Sequence, residues 1–467
     1  MNYDIIVIGA GTAGIPCAVE AASRGKRTLL LEKAGDIGGT LHVSGGHMSG
    51  AGTRRQHEKG IEDSIDAHIE DINRISHGSA RPDLSRRAAE VGPITIDWLE
   101  SLGFEFAPET PRLVYGHEPY STARTYYGVD QGRSILKVFR KILDAQIEQG
   151  NLDLKLNARV NDLITENEAV IGVRLENDEE FFSPVVVIAT GGFGANGEIF
   201  SRLEGAPLVS ASWPTATGDG LLMAERLGAH IAGAGTYLPT FGGLPSPDGT
   251  GFVRWSDRPL LIAKERPPYE IYVDRNGKRW VAEDEESIDV KEHALVEIPE
   301  MTFWTVFDEV GMQESFPMVI GWERDDFRAK ANNLPGVFSA ETLPELAARM
   351  GVDAQGLATT IAEYNKAVAH GKDEKFGRKF LPAPIEVGPF YGLQNHAVTL
   401  ITFSGIDVDS EFRVRKSDGS VIPGLFAVGE ALGAAATMGK SFCGGLLAMP
   451  AIGFARLIAQ DRKSTRL

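Results

Sequence analysis

Asp4-Ile5-Ile6-Val7-Ile8-Gly9-Ala10-Gly11-Thr12-Ala13-Gly14 is the stretch around which the rest of the chain is organised. Its first five residues form a near-continuous, β-branched apolar run, the pattern of a parallel strand covered on both faces. The turn that follows fits G-x-G-x-x-G. Gly9 permits the tight turn, Gly11 lets the backbone approach a pyrophosphate, and Gly14 lets the helix pack on the strand; the anion sits on the amides of the helix N-terminus. An Ala-rich helix is expected from Ile15 to Ser23 with Gly25 as its cap, and then a second strand from Arg27 to Leu31. That strand delivers Glu32 to a ribose hydroxyl, where an acid suits a free 2′-hydroxyl and repels a 2′-phosphate. A glycine motif alone is weak evidence, but here strand, helix, second strand and acidic end stand in register around it.

The composition narrows the classes. At 467 residues the chain has room for two or three domains, and 43% hydrophobic with 24% charged residues is the balance of an ordinary globular protein. A formal net charge of −17 argues against a nucleic-acid surface, which needs Lys and Arg to replace phosphate counterions. No apolar run approaches the ~20 residues of a membrane span, and the sequence opens into a strand instead of a signal core, so no membrane span and a cytoplasmic location are expected. Cys17 and Cys443 are the two cysteines, too far apart in sequence for a disulfide framework or a haem-attachment motif.

Beyond Glu32-Lys33 come Gly38-Gly39-Thr40 and Ser44-Gly45-Gly46, small residues that leave room for a bulky cofactor. With these motifs the chain resembles the flavoproteins of the fumarate reductase, succinate dehydrogenase and 3-ketosteroid dehydrogenase group, and the resemblance covers most of its length. It extends to Ala189-Thr190-Gly191-Gly192-Phe193-Gly194, Thr217-Gly218-Asp219-Gly220, Val428-Gly429-Glu430 and Gly444-Gly445-Leu446-Leu447. The resemblance implies FAD held by the glycine turn with Thr12 and Ala13, by Glu32 and Lys33, by Gly39, Thr40, Ser44, Gly45 and Gly46, by Val160 on the adenine side, and by these later turns. Asp219 reads equally well as a plain helix cap. Members with covalent flavin carry a histidine at a position that neither His42 nor His47 occupies, so noncovalent FAD is expected. The implied fold is α/β: a Rossmann-like FAD-binding domain, 1–232 and 389–467, with an inserted α+β capping domain, 233–388.

The departures bear on the reaction. The fumarate reductases place an arginine that serves as acid four residues after the Glu of a cap motif that Gly277 to Glu283 resembles; here that position is Ser287. Their carboxylate-binding histidines align with Leu400 to Gly405 and a further arginine with Ser441-Phe442-Cys443, so the paired cations that fix a C4 dicarboxylate are absent from these positions. The segment through Met438-Gly439 has the look of the ketosteroid dehydrogenases, yet Phe442 stands where they use a tyrosine hydroxyl and cannot donate a hydrogen bond. The catalytic candidates are therefore Tyr120, Tyr126 and Tyr127 as acid or base, weighed against simple packing on the cap, and Ser287 orienting substrate or solvating a turn. His396 reads as a structural histidine and Cys443 as a small buried filler.

Together these imply hydride exchange between flavin N5 and the α,β CH–CH bond of a cyclic or steroid-like ketone, the ketone oxygen being polarised by amides near Gly444 and Gly445. The partners expected are a small, apolar ketone and an external electron acceptor or donor. Two alternatives stay open: a fumarate-type reductase of an unsaturated carboxylate with its anion site rebuilt from Arg124 or Lys440, and a flavin-binding redox sensor without turnover.

Overall fold

The opening run becomes the centre of a six-stranded sheet. In the computed structural model, which describes residues 3–246, 251–253, 257–315 and 317–460, the strands run Arg413–Arg415, Val421–Ala427, Val186–Ile188, Ile5–Ile8, Thr28–Leu31, Leu152–Lys155 across the sheet. All neighbours are parallel except the first pair. Every residue of Ile5–Ile8 and Thr28–Leu31 is buried, as a strand covered on both faces requires. The helix Gly14–Ser23 packs against the last helix, Ala448–Gln460. Parallel strands place their C-terminal ends, and hence Gly9, Glu32, Ala189 and Val428, along one edge, where open α/β sheets bind ligands.

Val160–Glu166, Ala169–Leu175 and Glu180–Phe182 form a small antiparallel sheet beside this one. Its first hairpin turns at Asn167 and Glu168, both at positive φ (48° and 65°), the geometry of the turns that match strand twist.

The inserted part has its own five-stranded sheet: Thr240–Gly242, Phe390–Val398, Thr302–Phe307 and Ile271–Val273 in order, with Val337–Ala340 also on Phe390–Val398. Alternate residues leave to opposite faces, as a strand period of two demands. Tyr272, Phe303 and Phe307 enter one core with Phe327 and Tyr391, while Ile271, Val273, Trp304 and Val306 enter another with Leu346 and Tyr364. The strand Phe390–Val398, just past the expected boundary at 388, pairs with three strands of this sheet.

Candidate functional site

A cavity of about 670 Å³ runs from the edge of the first sheet to the cap, within the roughly 300–1,000 Å³ of ligand sites. The glycine turn forms one end. A Cβ on Gly14 would fall 1.7 Å from the Gly9 carbonyl oxygen and one on Gly9 would fall 2.5 Å from that of Ala189, so helix and strands close only over glycine. A Cβ on Gly11 would meet nothing within 4 Å and would project from a residue on the cavity wall. The Glu32 carboxylate accepts from the amides of Ala10 and Ala34, both at 2.8 Å, which fixes it at this edge.

Most of the expected cofactor residues meet on this wall: Gly9, Gly11, Thr12, Ala13, Glu32, Lys33, Gly39, Thr40, Ser44, Gly45, Gly46, Val160, Ala189, Thr190, Gly191, Asp219, Gly429, Glu430, Gly445 and Leu447. Gly14, Gly444 and Leu446 stand behind it, Gly14 because it is the contact between helix and turn. Asp219 is not a cap. It opens the helix Asp219–Arg226 after Gly218, and its carboxylate takes Lys33 Nζ at 2.9 Å and Arg159 at 3.2 Å. The Thr190 hydroxyl is buried and meets no protein partner, and Glu430, its carboxyl pushed up by burial, accepts from the Thr402 amide at 3.0 Å. An unpartnered hydroxyl and an open approach at Gly11 on the same wall fit a polar, elongated cofactor such as FAD.

The other end is lined by His47, His117, Phe442, Leu400 and Ile401, and from the cap by Thr240, Arg258, Pro259, Leu261, Ile262 and Ile288. The His117 ring stacks on Phe442 with centroids 3.7 Å apart. Burial, with His47 nearby, pushes the His117 imidazole down to about 3, so the ring is neutral at pH 7. Arg258 is the one charged side chain that the cap places on the wall among the described residues. Its carbonyl accepts from Ile320 at 3.2 Å and Pro259 bridges Val319, which pins the segment.

The tyrosines proposed as acid or base are elsewhere. Tyr120 is buried and donates to the Gly444 carbonyl at 2.7 Å; Tyr126 is hydrogen-bonded to Thr53; Tyr127 donates to Glu109 at 2.7 Å, and its ring lies 5.1 Å from that of His47. None of the three lines the cavity, and burial raises each phenol above its ordinary value. Ser287 caps the helix Ile288–Val296 through the Val290 amide and donates to Glu118 at 2.7 Å. Of the proposed catalytic positions only Phe442 reaches the cavity. His396 bonds Thr302 at 3.0 Å within the cap sheet, and Cys443 is fully buried. Arg124, fully buried, is taken up by Asp63 at 2.9 Å and Asp71 at 3.0 Å; neither it nor Lys440 touches the cavity.

A family model described as FAD binding domain matches residues 4–447. The chain belongs to that family of FAD-binding flavoproteins. A probable fumarate reductase, Ifc3, of Shewanella frigidimarina is 29% identical over 439 residues, covering 92% of this chain and 70% of that protein. A 4-oxocyclohexanecarboxylate 2-dehydrogenase of Sinomonas cyclohexanicum is 29% identical over 550 residues, covering 96% of this chain and 92% of that protein. The structure of a 3-ketosteroid Δ1-dehydrogenase from Sterolibacterium denitrificans superposes with a TM-score of 0.79 at 20% identity, over 98% of this chain and 99% of that one, and shares the fold. The chain is an FAD-dependent oxidoreductase acting on the CH–CH group. Among the described residues no helix is long and apolar enough to cross a membrane.

Proposed function

We propose that the enzyme oxidises or reduces the α,β carbon–carbon bond of an apolar, cyclic ketone. One observation carries this reading: the cap end of the cavity is walled by Pro259, Leu261, Ile262, Ile288, Leu400, Ile401 and Phe442, with the single guanidinium of Arg258 among them. Apolar walls take a hydrocarbon ring and exclude water, and one guanidinium holds one oxygen-bearing end. A C4 dicarboxylate calls for a second cation there, and neither Arg124 nor Lys440 supplies it.

Bound FAD supplies or accepts hydride at N5. The chain does the rest. Arg258 orients and polarises the substrate oxygen, the turn at Gly445 presents backbone beside it, and the apolar walls strengthen both interactions by keeping the site dry. The Sinomonas relative supports this by its name, since its substrate is a ring bearing both a ketone and a carboxylate. A second reading, an unsaturated monocarboxylate, is favoured by the same guanidinium.

Crystals of the FAD-bound enzyme soaked separately with cyclohex-2-en-1-one and with succinate test the choice. The ring is expected over the flavin with its oxygen at Arg258; succinate in that position, with the ring absent, would reverse the assignment.

A further inference from the structure

The proton that accompanies hydride transfer needs a carrier, and the positions where related chemistry places one hold Ser287, turned to Glu118, and Phe442, which has no proton to give. Beside the substrate end lies a second cavity of about 10 Å³, about the room that one water molecule takes. Its walls include His117, Thr240, Leu400, Ile401 and Phe442, all shared with the main cavity, and Glu292, which is not.

Glu292 is 2% exposed on the helix Ile288–Val296. Burial, and then the nearby Asp289 carboxylate, pushes its carboxyl well above the usual range, while the Thr240 hydroxyl bonds to it. Across the small cavity His117 Nδ1 is buried and meets no protein partner. A neutral imidazole carries one N–H donor and one acceptor nitrogen, so it can pass a proton through.

The other side of Glu292 leads outward. Asp289 is three residues earlier on the same helix, which puts the two carboxyls on one face. It is 5% exposed, with Oδ1 unpartnered and Oδ2 3.0 Å from His77 Nε2. The His77 side chain is 68% exposed, and the His293 ring flanks it with centroids 6.1 Å apart. Lys291, on the same helix, bonds the Leu261 carbonyl at 3.1 Å.

We infer that His117 and Glu292 form a proton path joining the surface at His77, through Asp289, to the substrate end of the cavity. This rests on the CH–CH reading above. In the reducing direction bound FAD would supply the hydride for the new C–H bond at the β carbon. An N–H bond of His117 breaks, its proton forms the C–H bond at the α carbon, and the O–H proton of Glu292 reprotonates the ring at its other nitrogen; a half-turn of the neutral ring then returns the N–H bond to the substrate side. The Glu292 carboxylate regains a proton from water by way of Asp289 and His77. Dehydrogenation runs every step in reverse.

Glu292→Gln and His117→Asn, loaded with FAD, test the path in two ways. Mixed with cyclohex-2-en-1-one, the dithionite-reduced variants are expected to reoxidise about 100-fold more slowly than the parent, with flavin content and dithionite reduction unchanged. Infrared difference spectra between oxidised and reduced holoenzyme are expected to contain a buried carboxylic-acid band that vanishes in E292Q and shifts in H117N. Parent-like reoxidation in both variants, or a band that persists in E292Q, would overturn the path. A parent enzyme inert to the enone would overturn the substrate class instead, and the infrared band would still decide the path.

Discussion

The Tyr120 phenol donates a 2.7 Å hydrogen bond to the carbonyl of Gly444, 324 residues away in sequence, behind the turn that brings Gly445 and Leu447 to the cavity wall. The bond is buried and the phenol's proton is held tightly, burial raising it well above its ordinary value. Tyr120 therefore supports the turn from behind the cavity wall. Tyr120→Phe leaves a buried carbonyl unpaired and should lower stability by about 1–3 kcal/mol, read by urea unfolding. The rate of flavin reduction per bound FAD should stay within a few-fold of the parent; a hundredfold loss would restore Tyr120 as the proton donor.

Gly11 and Gly14 separate two demands that their motif merges. An alanine at Gly14 collides with the Gly9 carbonyl, whereas one at Gly11 meets no protein atom within 4 Å. Gly14→Ala should unfold the first domain or express poorly. Gly11→Ala should keep the circular dichroism and melting curve of the apoprotein and lose FAD, measured as flavin absorbance per protein after gel filtration. Full flavin content in the Gly11 variant would move the pyrophosphate away from this turn.

The Asp219 carboxylate joins Lys33 and Arg159 across the cofactor edge. Burial works to raise it, but the hydrogen bonds from Lys33 and Arg159 prevail and hold it below its ordinary value. With the folded pKa below the unfolded value of about 3.9, its stabilisation is complete above that value and disappears as pH falls through the folded one. Asp219→Asn should cost on the order of 2 kcal/mol at pH 7, and the gap to the parent should close in urea titrations run below about pH 4.

Glu283 ties the cap together: its carboxylate accepts from Arg279 at 2.6 Å, from Arg378 at 3.0 Å and from the Tyr272 amide at 3.1 Å, all fully or nearly fully buried. Removing one member strands buried guanidinium charge. Glu283→Ala should cost about 3–5 kcal/mol and expose the cap to limited proteolysis before the first domain; cleavage that begins in residues 4–32 would contradict this.

The first βαβ unit could be read from the chain because its constraints are local. Gly9, Gly14 and Glu32 act through backbone contacts within a few residues or across one strand pair. The substrate end could not. His47, His117, Arg258 and Phe442 come from four separated segments and share no spacing. His117 lies in the same aromatic-rich segment as Tyr120, Tyr126 and Tyr127, but which ring of that segment faces the cavity depends on partners such as Gly444 and Thr53. Arg258 sits in an irregular segment without periodicity, and Glu292 stands out only once its helix is buried.

Flavin bleaching tests the central claim most directly. The FAD holoenzyme, oxidised and anaerobic, is mixed in a stopped-flow instrument with cyclohexanone or 4-oxocyclohexanecarboxylate, and separately with succinate. Ketone-dependent loss of the flavin band, slowed about 100-fold or more in Arg258→Met and absent with succinate, is the result this account predicts. Bleaching by succinate with none by either ketone would contradict it.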